Sequence, residues 1–275
     1  MKRTLFVGLA TLLASSAQAA PIVFQATSAN VAGIVAIRDD FRNAIGGGIV
    51  GGANGSFGGL RREINWDGVP LTFAAPNFLP GDFFNVNSPR GVVFTTPGTG
   101  FEVSANSGDG PIDFGNINPA YTTAFEPFSA QRMFTPIGST ITDVSFFVPG
   151  TNAPALTSAF GAIFSDVDMA GSSLQFFDIF NNSLGIFAVP FLSGSQTFEF
   201  LGVRFDSAIV RRVRITTGNA ALAAGVNDGN GTDLVVMDDF LYAEPAAVPE
   251  PASLMLFGTG AIALRAHLRR RRRAQ

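Results

Sequence analysis

The sequence predicts an all-β protein: a jelly-roll-like β-sandwich preceded by one N-terminal helix. Three observations carry this. The 275 residues include 31 Gly and 16 Pro, which punctuate the chain into short segments. Apolar residues make up 47% of it and charged residues only 14%, with 28 Phe to fill a core. Short runs of β-branched and aromatic residues recur between Gly, Pro, Asn and Asp clusters, the mark of strands joined by turns. No repeat of 20–50 residues is visible, which argues against a propeller or β-helix. The stretch between the two termini, roughly 225 residues, suffices for one domain with a full core.

Read in order, the chain opens with a secretory signal peptide over residues 1–19. Lys2 and Arg3 are its charged start and Leu5 to Ala14 its apolar centre, and Ala17-Gln18-Ala19 is an A-x-A cleavage site. Residues 20–60 read as a helix and a Gly-rich loop. From Ser28, the residues Val31, Ile34, Val35, Arg38, Phe41 and Ile45 fall near a 3.6 period, and Gly46 ends the helix. Gly46-x-Gly48-x-x-Gly51 is a formal dinucleotide fingerprint. That motif needs a strand before it and a helix after it; here a helix precedes, so no nucleotide cofactor is expected.

Residues 61–244 read as the β-sandwich. Arg61 to Pro70 is a strand running into a turn, with short strands at Gly91–Thr95 and Gly100–Ser104 inside a long loop-rich stretch ending near Pro127. Clearer strands follow at Thr140–Val148, Ala159–Val167, Ser173–Phe180, Thr197–Phe205, Ile209–Thr216 and Thr232–Tyr242. Asn181-Asn182-Ser183 is a hairpin turn between two of the apolar runs. Two facing sheets would bury the Phe-rich sides.

Composition restricts the chemistry. The chain has no Cys; its single His is His267 and its single Lys is Lys2, both in the terminal segments. That removes Ser-His-Asp and Cys-His catalysis, Schiff-base lysines and the usual zinc sites from the body. The body is read as non-enzymatic, with a carboxylate-only hydrolase of extracellular polysaccharide as the alternative. Eight of the 18 basic residues lie in the two termini, leaving ten arginines against the chain's 21 acids. Such an acidic body argues against nucleic acid as a partner and suits divalent cations and neutral polysaccharide.

Several residues are candidates for binding. Asp166 and Asp168, two apart at a strand end, would project to one face roughly 6.6 Å apart at 3.3 Å per residue. Asp228, Asn230, Thr232 and Asp233 form a second oxygen-rich group before Asp238 and Asp239. All six aspartates are candidate calcium ligands, since calcium takes carboxylate and carbonyl oxygens. They also read as solvated turn residues, with Asp238 or Asp239 paired to Arg212 or Arg214, or as a catalytic pair. Trp66, the single Trp, reads either as core or as an exposed platform for a sugar ring.

Residues 245–275 are unlike the rest. Pro249-Glu250-Pro251 precedes the apolar stretch Ala252–Leu264, then Arg265 and His267, then Arg269, Arg270, Arg271, Arg272 and Arg273. Thirteen residues span about 20 Å as a helix against about 30 Å of bilayer hydrocarbon, and snorkelling Arg265 and His267 would extend the span to Leu268. The arginines would hold that end in the cytoplasm. Triplet, helix and arginine cluster in this order resemble the PEP-CTERM sorting signal of Gram-negative bacteria. The resemblance implies export, a transient inner-membrane anchor, cleavage by an exosortase near the triplet, and delivery to the cell surface or extracellular matrix. The segment from Phe146 to Glu244, with Asp166, Asp168 and the Asp238-Asp239 pair, resembles the β-sandwich domain common in that group, for which the resemblance implies no established activity.

Overall fold

The computed structural model describes residues 19–48, 51–129 and 131–248; the expected signal peptide and membrane helix lie outside them. The regular structure of the described residues is mostly strand, with one long helix and short turns of helix. In chain order, β1 (Ile22–Ser28) leads into α1 (Ala32–Ala44), followed by β2 (Ser56–Phe57) and β3 (Arg61–Ile64). Then come α2 (Phe83–Val86), β4 (Val92–Thr95), β5 (Gly100–Val103), α3 (Tyr121–Ala124), β6 (Phe134–Ile137) and β7 (Ile141–Phe146). The remainder is β8 (Ala155–Leu156), β9 (Ala159–Ser165), β10 (Ser173–Phe177), β11 (Ser183–Ala188), β12 (Phe198–Arg204), β13 (Arg212–Thr216), β14 (Val236–Ala243) and β15 (Ala246–Ala247).

Two sheets face one another. One runs β1-β12-β9-β14-β3-β2, with β6 also paired to β14 and β5 to β6; the other runs β11-β10-β13-β7-β4. Their inner faces meet in one core that includes Phe160, Phe164, Leu201 and Phe240 from the first and Phe94, Val144, Phe176 and Val213 from the second. In the second sheet β7 and β13 alternate buried with half-buried residues, as a sheet with one solvated face should.

The first sheet does not alternate: β9 and β14 are buried along their whole length. The cause is α1, which covers its outer face. Ile34, Phe41 and Ile45 of the helix pack on Ala159, Ile163, Phe198, Phe200 and Leu241. The fit depends on two glycines paired across neighbouring strands, Gly161 and Gly202. A Cβ on Gly202 would come within 2.7 Å of the Phe41 ring, and one on Gly161 within 3.0 Å. Bare backbone there makes the hollow in which Phe41 sits.

The helix ends as its sequence predicts. Gly46 takes φ +123°, and the Gly47 N–H donates to the Arg42 carbonyl at 2.7 Å. The β10–β11 hairpin turns at Asn181, whose φ is +64°. Two features differ from the sequence reading. β1, an edge strand on β12 before the helix, went unpredicted. The loop-rich stretch near Pro127 is not bare loop: Phe114, Tyr121 and Phe125 form a third apolar cluster with Leu222 and Leu234. Among the described residues no helix is long and apolar enough to cross a membrane.

Candidate functional site

Two polar places stand out. The first is an open groove of about 490 Å³ lined by Asp39, Arg42 and Asn43 of α1 with Gly48, Phe57, Arg61 and Glu63. A pocket of about 310 Å³ adjoins it, shares Arg42, Phe57 and Glu63, and adds Arg90, Ser129 and Asp239. The 3.6-residue period of α1 explains the composition: Phe41 turns inward, while Asp39, Arg42 and Asn43 face the groove.

Its charges are organised around Glu63. Arg42 donates to both oxygens of that carboxylate, Nε to Oε1 at 2.7 Å and Nη2 to Oε2 at 2.8 Å, and Arg61 Nε adds a bond to Oε1 at 3.0 Å. Arg42 Nη1 also donates to Asp39 at 3.0 Å, as does Arg38 Nε at 2.9 Å. Partial burial works to raise the Asp39 carboxyl, but the bonds and charges of Arg38 and Arg42 outweigh it and hold it below its ordinary value. Arg61 is buried, donates to the Gly47 and Gly48 carbonyls, and lies 4.0 Å over the Phe57 ring. The result is a rigid array of donors and acceptors beside an aromatic ring.

The second place is an acidic cluster built from two loops. Asp166 follows β9 and Asp168 lies two residues on, while Asp228 comes from the β13–β14 loop; each offers a carboxylate oxygen within 4.8 Å of the others'. Two charges at that distance repel by about 3 kcal/mol at an effective dielectric of 20. Strand alternation does not produce the meeting of Asp166 and Asp168: Asp166 has left the strand, with φ +73°. Asp233 joins from behind, its Oδ1 accepting the Asp168 N–H at 2.9 Å. Asp168 Oδ1 accepts the Gly194 N–H at 2.7 Å, and Asp228 Oδ1 the Leu234 N–H at 2.9 Å. Asp166 is 0% exposed, and neither of its oxygens has a hydrogen-bond partner; Asp233 Oδ2 is likewise buried without one.

Burial, reinforced by the charges of Asp228, Asp168, Asp233 and Glu199, pushes the Asp166 carboxyl up to about 8. Burial and the charges of Asp228 and Asp168 push Asp233 to about 6, against the Asp168 N–H bond. Glu199, near the start of β12, is buried beside the cluster. Its oxygens accept Thr27 Oγ1 at 3.1 Å and the Val167 N–H at 3.3 Å, yet burial still raises it to about 8. Sequence reasoning passed over Glu199; its signal was a lone acid in register with the core-facing Leu201 and Val203.

Three sequence readings need correction. Asp238 and Asp239 do not join the cluster. They occupy a bulge in β14, where the pairing with β9 skips a residue between Met237 and Phe240, and both are buried. Asp238 accepts the N–H groups of Phe128 and Ser129 at 2.6 and 3.1 Å, and Ser129 Oγ lies 2.9 Å from Asp239. Nor do they pair with Arg212 or Arg214, which both bind Asp143, at 2.5 and 2.7 Å. Trp66 is 1% exposed: its ring stacks on Phe134 at 4.2 Å, and its N–H donates to the Asp238 carbonyl at 2.8 Å. It holds the core together and offers no face to a sugar.

The comparisons with known proteins speak to the tail. Residues 247–273 match the family model described as the PEP-CTERM protein-sorting motif. The chain carries a PEP-CTERM sorting motif. Export and processing by an exosortase follow from it, with Pro249, Glu250, Pro251 and Arg269 to Arg273 inside the matched span. No curated protein matches the chain. Among solved structures, the enzymatically active domain of bacteriophage CBA120 tailspike protein 4 aligns at 10% identity and a TM-score of 0.28, over 64% of this chain and 22% of that one. A likeness so slight carries no argument about fold or activity.

Proposed function

We propose that this PEP-CTERM protein is a non-catalytic binding module of the cell surface or extracellular matrix, and that its groove grips extracellular polysaccharide. The observation that carries the reading is the groove itself, whose Asp39, Asn43, Arg42 and Arg61 present both donors and acceptors beside Phe57. Neutral sugar polymers offer hydroxyls that need both. The strand order adds fold-level support: β3-β14-β9-β12 facing β7-β13-β10-β11 is the order of a jelly roll, an architecture that lectin domains share. In this reading the segment Ala252–Leu264 anchors the chain in the inner membrane until the exosortase acts, after which the body reaches the surface.

A second reading, a carboxylate-dependent hydrolase, is favoured by one observation. Glu63 and Asp239 both line the smaller pocket, and burial raises the Asp239 carboxyl, as a general acid requires. Against it, three arginine bonds occupy the oxygens of Glu63, so that carboxylate is not free to attack or to take a proton. A glycan array probed with the full chain, followed by an assay for new reducing ends on the glycans bound, separates the two. Retention without cleavage supports the binding module. Cleavage that is lost in Glu63→Gln establishes the hydrolase, and an array with no retained glycan overturns both.

A further inference from the structure

We propose that Asp166, Asp168 and Asp228 hold one calcium ion that ties the loop after β9 to the loop before β14, with Asp233 bracing Asp168 through its backbone N–H. Acidic residues often cluster on surfaces without a metal, so proximity alone would not justify this. What distinguishes the cluster is Asp166. It is completely buried and both of its oxygens are unpartnered, yet one of them lies within 4.8 Å of ligand oxygens from Asp168 and Asp228. A buried carboxylate ordinarily finds hydrogen-bond donors, as Asp238 does with two backbone N–H groups. Asp166 instead faces other acids. Behind them Asp233 presents a second buried, unpartnered oxygen.

The donor set selects the class of metal. Every side-chain ligand is a carboxylate, and the exported body has no His or Cys to offer a softer ion. Calcium accepts six to eight oxygens in irregular geometry, whereas magnesium demands a tight octahedron and keeps its water. A site assembled from two separate loops, with carboxylates at unequal depths, suits the former. Asp168 and Asp228 are only half-buried, which leaves a path for the ion and room for water to complete its shell. The bonds that these two accept, from Gly194 and Leu234, orient them toward Asp166.

The inference is independent of polysaccharide binding. Its test uses the full chain purified in detergent and stripped with EGTA, titrated with calcium or magnesium in a calorimeter and melted in each. The expected result is one calcium per chain, a melting temperature raised by calcium and not by equal magnesium, and at least a tenfold loss of affinity in Asp166→Asn and in Asp228→Asn. Stoichiometry in the unaltered chain does not depend on whether either variant folds. Absence of calcium binding by the unaltered chain overturns the proposal. So does a folded Asp166→Asn that binds calcium as well as the parent does.

Discussion

Replacing Gly202 with alanine should loosen the helix that builds the groove. The added Cβ would lie 2.7 Å from Cδ2 and 2.9 Å from Cε2 and Cγ of Phe41, against a comfortable carbon–carbon distance of about 3.5–4.0 Å. The ring cannot swing aside, because Phe24 and Phe200 hold it at centroid distances of 5.4 and 5.6 Å. Overpacking of this kind costs about 1–3 kcal/mol, and alanine's advantage over glycine within a strand returns about 0.5–1 kcal/mol of it. A net loss of about 1–2 kcal/mol lowers the melting temperature of a chain this size by about 2–8 °C. Thermal melting followed by circular dichroism reads this directly. The same substitution made in a Phe41→Leu background should cost little, because the shorter side chain vacates the hollow; the two changes are therefore non-additive. An equal cost in both backgrounds, or no cost in either, would refute the seating of α1 on the glycine pair.

Two further perturbations test the core and two half-buried acids. Trp66→Phe should cost about 1 kcal/mol through the lost bond to the Asp238 carbonyl and leave glycan retention unchanged; lost retention at native stability would restore a sugar-stacking role. Burial, then the Asp239 charge, raises Asp67 to about 6, and burial with the Glu126 charge raises Asp113 likewise. Each carboxyl holds its proton more tightly folded than unfolded, so the folded state binds more protons between about pH 4 and 6 and stability falls as pH climbs through that window. Urea unfolding at either end of it should show a shallower fall in Asp67→Asn/Asp113→Asn than in the parent, and an identical fall in both would contradict the assignment.

Much of the fold was legible because its signals are local. Gly46 stops α1 through a left-handed backbone that glycine adopts freely, and Asn181 turns the β10–β11 hairpin for a similar reason. β1 was not legible: its apolar residues follow directly on the signal peptide, and its partner β12 lies some 170 residues away. The binding features were read less well, since each depends on tertiary placement. Asp238 and Asp239 resemble ligands in the sequence, but a bulge turns them into a buried network with Ser129. Asp166 and Asp168 were singled out for a spacing that does not apply, and what brings them to Asp228 is the loop conformation after β9. Arg42 and Glu63, which organise the groove, sit 21 residues apart, and nothing in either segment announces the pairing.

Retention of extracellular polysaccharide by groove variants tests the proposed function most directly. Asn43 is exposed on α1 and Asp39 is half-buried, so Asn43→Ala/Asp39→Asn alters the groove lining while leaving the Arg42–Glu63 pair in place. Binding to polysaccharide purified from the host matrix, measured by co-sedimentation with parent and variant at matched melting temperature, should fall at least tenfold, equivalent to about 1.4 kcal/mol. Equal binding by the two proteins would contradict the assignment of the groove as the polysaccharide site.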